Sequence, residues 1–213
     1  MRGPIKVFLL SPIDLYQPSL RRYTLSDRTC VDGSYHDADV VCPELQCTLY
    51  QLPDGEVVHG DVFAHSYHNW PTKCDKCDYV FKDTDEWQFR PERLYMTIGS
   101  SIQFTLGKAP PGAMYYASWF EDRNLKDFMW VSPHDKRALM VVLPGGHHWH
   151  VDGTANNCTL PDDTVHKCWV RSGSVEHASV HVDKNGNTCA AGAGSIVVPG
   201  WHGFLHNGYL TGC

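Results

Sequence analysis

Two cysteines separated by two residues, Cys74 and Cys77, constrain the fold of this chain more than any other feature of its sequence. The residues around them are small or charged, and a short aromatic and apolar stretch, residues 79–81, follows. A tight turn of this kind directs both thiolates at one ion, with metal–sulfur distances of about 2.3 Å, and a strand behind the turn anchors it. The sequence therefore predicts a metal-binding knuckle around which the first half of the chain folds.

Such a knuckle needs two further ligands, and the sequence offers several. Cys42 and Cys47 form a second close pair whose C-x-x-x-x-C spacing is used in zinc sites, so we predict them as partners of the knuckle. Without a metal, these residues would be ordinary buried thiols. A redox-active C-x-x-C is disfavoured, because no helix is predicted to begin at the motif. The competing ligands in the same half of the chain are Cys30, His36, His59, His65 and His68.

The C-terminal part of the chain holds a second set of soft ligands. Cys158, His166 and Cys168 are spaced so that a loop and the strand after it can present all three to one ion. Cys189 and His202 can approach from the neighbouring hairpin and the following strand. Protein ligands would close such a site, which is typical of structural zinc. The alternative is that these cysteines pack in the core without a metal.

Composition favours Zn²⁺ over disulfides as the partner of the thiols. The 213 residues include nine cysteines, an odd number, and the apolar run at residues 7–10 is too short for a secretory signal. We therefore expect a reducing compartment and no export. The net charge of −6, without a basic block, disfavours nucleic-acid binding. No apolar stretch approaches the roughly 20 residues that a membrane-spanning helix needs, so membrane insertion is not expected.

The pattern of apolar and turn residues predicts a mainly β fold, a β-rich α+β chain that is loop-rich and zinc-stabilised, with few short helices. Turns of helix are expected within residues 14–22 and 83–90, and a hairpin is expected where residues 48–52 and 56–58 flank a Pro-Asp-Gly turn. A soft boundary near residues 133–136 divides the chain into an N-terminal region, residues 1–135, and a small C-terminal β domain, residues 136–213.

Four histidines support an alternative interpretation as a metal-dependent enzyme. His148 and His150 would share one face of a strand beside His147, and His202 could complete the site. No glutamate follows His150 at the spacing that cupin-type metalloenzymes use, so this hypothesis ranks second. No nucleophile elbow, phosphate-binding loop or zinc-protease motif is present.

Eight segments of the chain carry a resemblance to known proteins: residues 73–81, 85–88, 110–114, 154–163, 166–173, 182–184, 188–196 and 201–205. The sequences of these segments resemble a family of uncharacterised proteins from tailed bacteriophages and prophages. The resemblance implies a phage-encoded protein but no catalytic role for any residue. The expectation is a non-enzymatic, zinc-stabilised phage protein of the host cytoplasm, either a capsid or tail accessory of the virion or a host-interaction factor. Its partners would be virion components or a host protein.

Overall fold

The computed structural model describes residues 3–41, 49–51, 57–59, 70–121, 132, 135–160, 162–163, 166–186 and 194–213. Strands dominate these residues, which confirms the predicted β-rich fold class. Helical structure in the same residues is limited to a 3-10 turn at Leu106–Lys108 and one short helix, α1 (Ser118–Glu121). The strands are β1 (Ile5–Lys6), β2 (Phe8–Tyr23), β3 (Asp37–Val41), β4 (Leu49–Gln51), β5 (Val57–His59), β6 (Glu86–Thr97), β7 (Gln103–Thr105), β8 (Ala113–Tyr116), β9 (Leu139–Val142), β10 (His148–His150), β11 (Trp169–Ser172), β12 (His181–Lys184), β13 (Ile196–Val198), β14 (Trp201–His206) and β15 (Tyr209–Gly212).

The predictions of helical turns within residues 14–22 and 83–90 are wrong. Residues 14–22 lie within β2, and the last five residues of the second stretch lie within β6. Long-range pairing outweighs local propensity here, because Ser19–Tyr23 pairs antiparallel with β3 while Phe8 and Leu9 pair parallel with β8. Pro12 and Pro18 lie outside both of these paired stretches, so neither proline has to supply an N–H to them.

The chain forms two compact units, and β2 and β6 each contribute residues to both. Unit 1 comprises Met1–Ser11, Met96–Ile102 and Gly107–Cys213, and unit 2 comprises Pro12–Tyr95 and Gln103–Leu106. In unit 1, β8 pairs with β9, and β1 at the start of the chain pairs with β15 near its end. The observed limits therefore differ from the boundary that the sequence suggested near residues 133–136.

Unit 1 contains the larger core. Its strands form the antiparallel order β1-β15-β14-β13, the hairpin β11-β12, and the run β10-β9-β8. The two-residue turn Asn207-Gly208 between β14 and β15 has positive φ at both residues, as tight hairpin turns require. The buried residues of this core are Val7, Met114, Leu139, Val141, Leu143, Val151, Cys168, Trp169, Val175, Val180, Val182, Ile196, Leu205 and Leu210.

Unit 2 contains the cysteine knuckle. The predicted hairpin is confirmed, since β4 pairs with β5 in the register Tyr50↔Val58, and its turn lies outside the described residues. A buried cluster in this unit consists of Cys30, Ala38, Cys74 and Phe81. With four buried members, this cluster is small compared with the core of unit 1. No helix in the described part of the chain has the length and hydropathy of a membrane span.

Candidate metal centre

Three thiols and one imidazole converge in unit 2. The ligand atoms of Cys30, His36, Cys74 and Cys77 all lie within 4.8 Å of one another. Cys30 Sγ lies 3.9 Å from Cys74 Sγ and 3.8 Å from Cys77 Sγ, and Cys77 Sγ lies 3.2 Å from His36 Nδ1. Tetrahedral zinc with metal–sulfur bonds of about 2.3 Å places its sulfurs about 3.8 Å apart. The sulfur spacing therefore fits one four-coordinate ion.

The knuckle is held by backbone hydrogen bonds on both sides. The Cys74 N–H donates to the Tyr79 carbonyl at 2.9 Å, and the Phe81 N–H donates to the Thr72 carbonyl at 2.9 Å. An antiparallel bridge between Lys73 and Val80 lies between these two bonds. The strand behind the turn is thus a single bridge, but it holds the two cysteines in the arrangement that their spacing predicts.

The other two ligands come from the loop between β2 and β3. The Gly33 N–H donates to the Cys30 carbonyl at 2.8 Å and closes a turn directly after this ligand. Thr24 fixes His36 twice: its N–H donates to the His36 carbonyl at 3.0 Å, and its hydroxyl accepts from the His36 N–H at 3.2 Å. Both ligands are buried, and these hydrogen bonds fix the backbone on either side of them.

The His36 ring is oriented for coordination through Nδ1. Its other nitrogen, Nε2, lies 3.0 Å from Thr29 Oγ1. A proton on Nε2 donated to this hydroxyl leaves the Nδ1 lone pair free for a metal, which is the usual arrangement of ligating histidines. Tyr79 stacks on the ring with centroids 4.0 Å apart and an interplanar angle of 4°. These contacts fix the orientation of the imidazole and are compatible with the tautomer that carries its proton on Nε2.

Backbone N–H groups stabilise the thiolate form of Cys74. The N–H groups of Asp37 and Lys76 each lie 3.5 Å from Cys74 Sγ. Burial raises the pKa of Cys74, but hydrogen bonds from the Lys76 and Asp37 N–H groups outweigh it, and the pKa falls to about 6. A buried thiolate beside further sulfurs is the charge distribution that a bound cation neutralises.

The sequence predicted half of this ligand set. The structure brings Cys74 and Cys77 together, and the third and fourth members are Cys30 and His36, which the sequence ranked only as competitors. The sequence feature that could have identified Cys30 and His36 is the turn-rich segment that contains them and leads into a strand. Cys42 and Cys47, the partners that we predicted, lie outside the described residues, as do His65 and His68; for His59 the structure describes only the backbone, within β5.

A second, smaller group lies in unit 1. The ligand atoms of Cys158, His166 and Cys168 lie within 4.8 Å of one another. These are three of the residues that the sequence predicted for the C-terminal site. Cys189 lies outside the described residues, and the exposed His202 on β14 is not part of the group.

The four histidines of the enzyme hypothesis do not form a ligand group with one another in the described residues. His147 Nε2 lies 2.9 Å from the Pro199 carbonyl oxygen, and His148 Nδ1 lies 2.7 Å from the Tyr115 hydroxyl. Burial lowers the pKa of both His148 and His150. The rings of His147 and His148 are thus engaged in separate local contacts.

Comparisons with known proteins provide no family for this geometry. No protein-family model matches the chain, and no curated protein and no solved structure matches it significantly. The function is therefore inferred from the residues of the two groups and their surroundings.

Proposed function

We propose that this chain is a non-enzymatic, zinc-stabilised bacteriophage protein, either an accessory of the capsid or tail or a factor that binds a host protein. The observation that carries the structural role of the metal is the closed set of Cys30, His36, Cys74 and Cys77. Four protein ligands fill the coordination sphere of tetrahedral zinc and leave no position for a substrate.

The donor set favours zinc over other abundant cations. Calcium and magnesium prefer oxygen ligands, whereas three thiolates and one imidazole suit a soft or borderline ion in tetrahedral geometry. Cys₃His is one of the usual compositions of structural zinc sites.

Metal binding would also supply stability that packing lacks in this part of unit 2. The buried cluster there is small, and half of it consists of ligand cysteines. A structural zinc site contributes about 10–16 kcal/mol of apparent binding free energy in small zinc-binding peptides, most of which is coupled to folding. The ion would link the knuckle to the loop between β2 and β3, although these two segments are far apart in sequence.

The phage assignment is supported by the resemblance to phage and prophage proteins, which runs over most of residues 70–207. A reducing host cytoplasm would keep the cysteines available for zinc. A metal centre without a position for a substrate favours a binding role over catalysis. The partners would then be virion components or a host protein.

The structural role can be tested by chelation. We expect zinc to stay bound to the purified chain under mild chelation, and its forced removal to expose unit 2 to protease. The Cys30→Ser variant should show the same sensitivity, whereas Cys213→Ser, which changes an exposed thiol, should match the wild type. A chain that releases its metal readily and keeps its protease resistance would contradict a structural role.

The phage role can be tested on particles. Mass spectrometry of gradient-purified virions from the phage that carries this gene should detect the chain at a constant copy number if it is a virion accessory. Its presence in the infected cell but not in particles would favour the host-binding factor. Expression unrelated to infection or prophage induction would contradict both.

A further inference from the structure

We infer that unit 1 binds a second ion, a thiophilic divalent cation of the zinc class, through Cys158, His166 and Cys168. This site is independent of the centre in unit 2 and of the phage role proposed above. The three ligand atoms lie within 4.8 Å of one another, close enough to share one ion.

The distance between the two best-fixed ligands fits coordination. Cys168 Sγ lies 3.6 Å from His166 Nε2. Around tetrahedral zinc, a sulfur at about 2.3 Å and a nitrogen at about 2.0 Å lie about 3.5 Å apart. Only Lys167 separates the two ligands in sequence, so one short segment supplies both.

The turn at Cys158 has the same local hydrogen bond as the knuckle of unit 2. The N–H of Leu160, two residues after Cys158, lies 3.4 Å from Cys158 Sγ. In the knuckle, the N–H of Lys76, two residues after Cys74, lies 3.5 Å from Cys74 Sγ. In both turns, a backbone N–H two residues further along the chain points at the sulfur of the candidate ligand.

The remaining contacts hold the ligands in place. The His166 N–H lies 3.1 Å from Asp163 Oδ1, and the Cys158 N–H donates to the Ala155 carbonyl at 3.0 Å. On the other side, Asn185 donates to the carbonyls of Lys167 and Cys168 at 2.7 and 2.9 Å. Cys168 is fully buried in the core, so an ion here would attach the loop that carries Cys158 to the hairpin β11-β12.

Two interpretations without a metal predict different chemistry. Packing of the thiols as small apolar groups accounts for Cys168, which lies in the core, but does not require His166 to face its sulfur. A disulfide between Cys158 and Cys168 would consume both thiols and bind no ion. Counting the bound ions and measuring metal–thiolate bonds distinguishes a metal site from both of these interpretations.

Cobalt substitution tests the inference directly. We expect the wild-type chain to bind two Co²⁺ ions, one in each group. The thiolate-to-cobalt charge-transfer band should carry contributions from three thiolates in unit 2 and two in unit 1. Cys158→Ser and His166→Ala should each reduce the count to one ion, and Cys158→Ser should leave mainly the three-thiolate part of the band. His177→Ala, which changes an exposed histidine of the same unit, and Cys213→Ser should keep both ions.

The outcomes separate this site from the centre in unit 2. One ion per chain in the wild type and in both unit 1 variants would overturn the inference while leaving the proposed function intact. A Cys158–Cys168 disulfide in protein prepared with thiols blocked at lysis would also overturn it. Two ions in the wild type and one in Cys74→Ser, with that remaining ion lost on adding His166→Ala, would support it independently of the unit 2 site.

Discussion

Nε2 of His36 lies 3.0 Å from Oγ1 of Thr29, on the side of the imidazole opposite to the nitrogen that faces Cys77. The hydroxyl belongs to no ligand of the centre, but when it accepts a hydrogen bond from Nε2–H, the lone pair of Nδ1 points toward the centre. We therefore expect the affinity of the centre to depend on a residue outside its ligand set.

Replacing Thr29 should weaken metal binding without removing a ligand. Thr29→Val keeps the shape of the side chain but removes the acceptor for Nε2–H, so we expect zinc affinity to fall about 10–100-fold. Competition with a chromophoric chelator measures the change. Thr29→Ser retains the hydroxyl and should stay close to wild type; equal affinities for the valine and serine variants would show that the hydroxyl does not orient the ring.

The sequence predicted the parts of this centre that are local. The C-x-x-C spacing of Cys74 and Cys77 identified the knuckle because two residues between cysteines fix the geometry within one turn. Cys30 and His36 could not be ranked above the other cysteines and histidines, because their approach depends on how β2 and β3 return the chain to the knuckle. The same limit explains β2, where local signals predicted helical turns and long-range pairing produced a strand.

Asp152 should make the stability of unit 1 depend on pH. Burial raises the pKa of this carboxyl to about 6 from 3.8, although Arg171, whose Nε lies 3.3 Å away, opposes the shift. The folded state therefore binds the proton more tightly than the unfolded chain, and this stabilisation, complete below pH 3.8, is lost as the pH rises through about 6. The full difference is on the order of 3 kcal/mol.

The comparison of wild type with Asp152→Asn isolates this effect from any proton release at the metal ligands. Denaturant unfolding at several pH values should show the variant gaining stability relative to wild type between about pH 4 and pH 7. Asp135→Asn, which changes the more exposed partner of Arg171, is the control. A variant that loses stability relative to wild type over this range would show that pairing with Arg171 outweighs burial.

Gly208 should tolerate no side chain. Its φ is +82°, and a Cβ at this position would lie 2.0 Å from the Ala178 carbonyl oxygen. Gly208→Ala should therefore destabilise the protein by more than about 1 kcal/mol, measured as a shift in the denaturation midpoint. Gly200 provides a matched control, because its φ is +77° and a Cβ there would meet nothing within 4 Å, so that Gly200→Ala reports backbone strain alone. Equal losses in the two variants would show that the contact with Ala178 contributes nothing.

The most direct test of the account is zinc K-edge X-ray absorption on the His166→Ala variant, which should retain only the centre in unit 2. We predict a first coordination shell of three sulfurs at about 2.3 Å and one nitrogen at about 2.0 Å. This composition would match Cys30, Cys74, Cys77 and His36. A chain without bound metal, or a shell of oxygen and nitrogen with no sulfur, would contradict the central claim that these four residues hold a structural zinc ion.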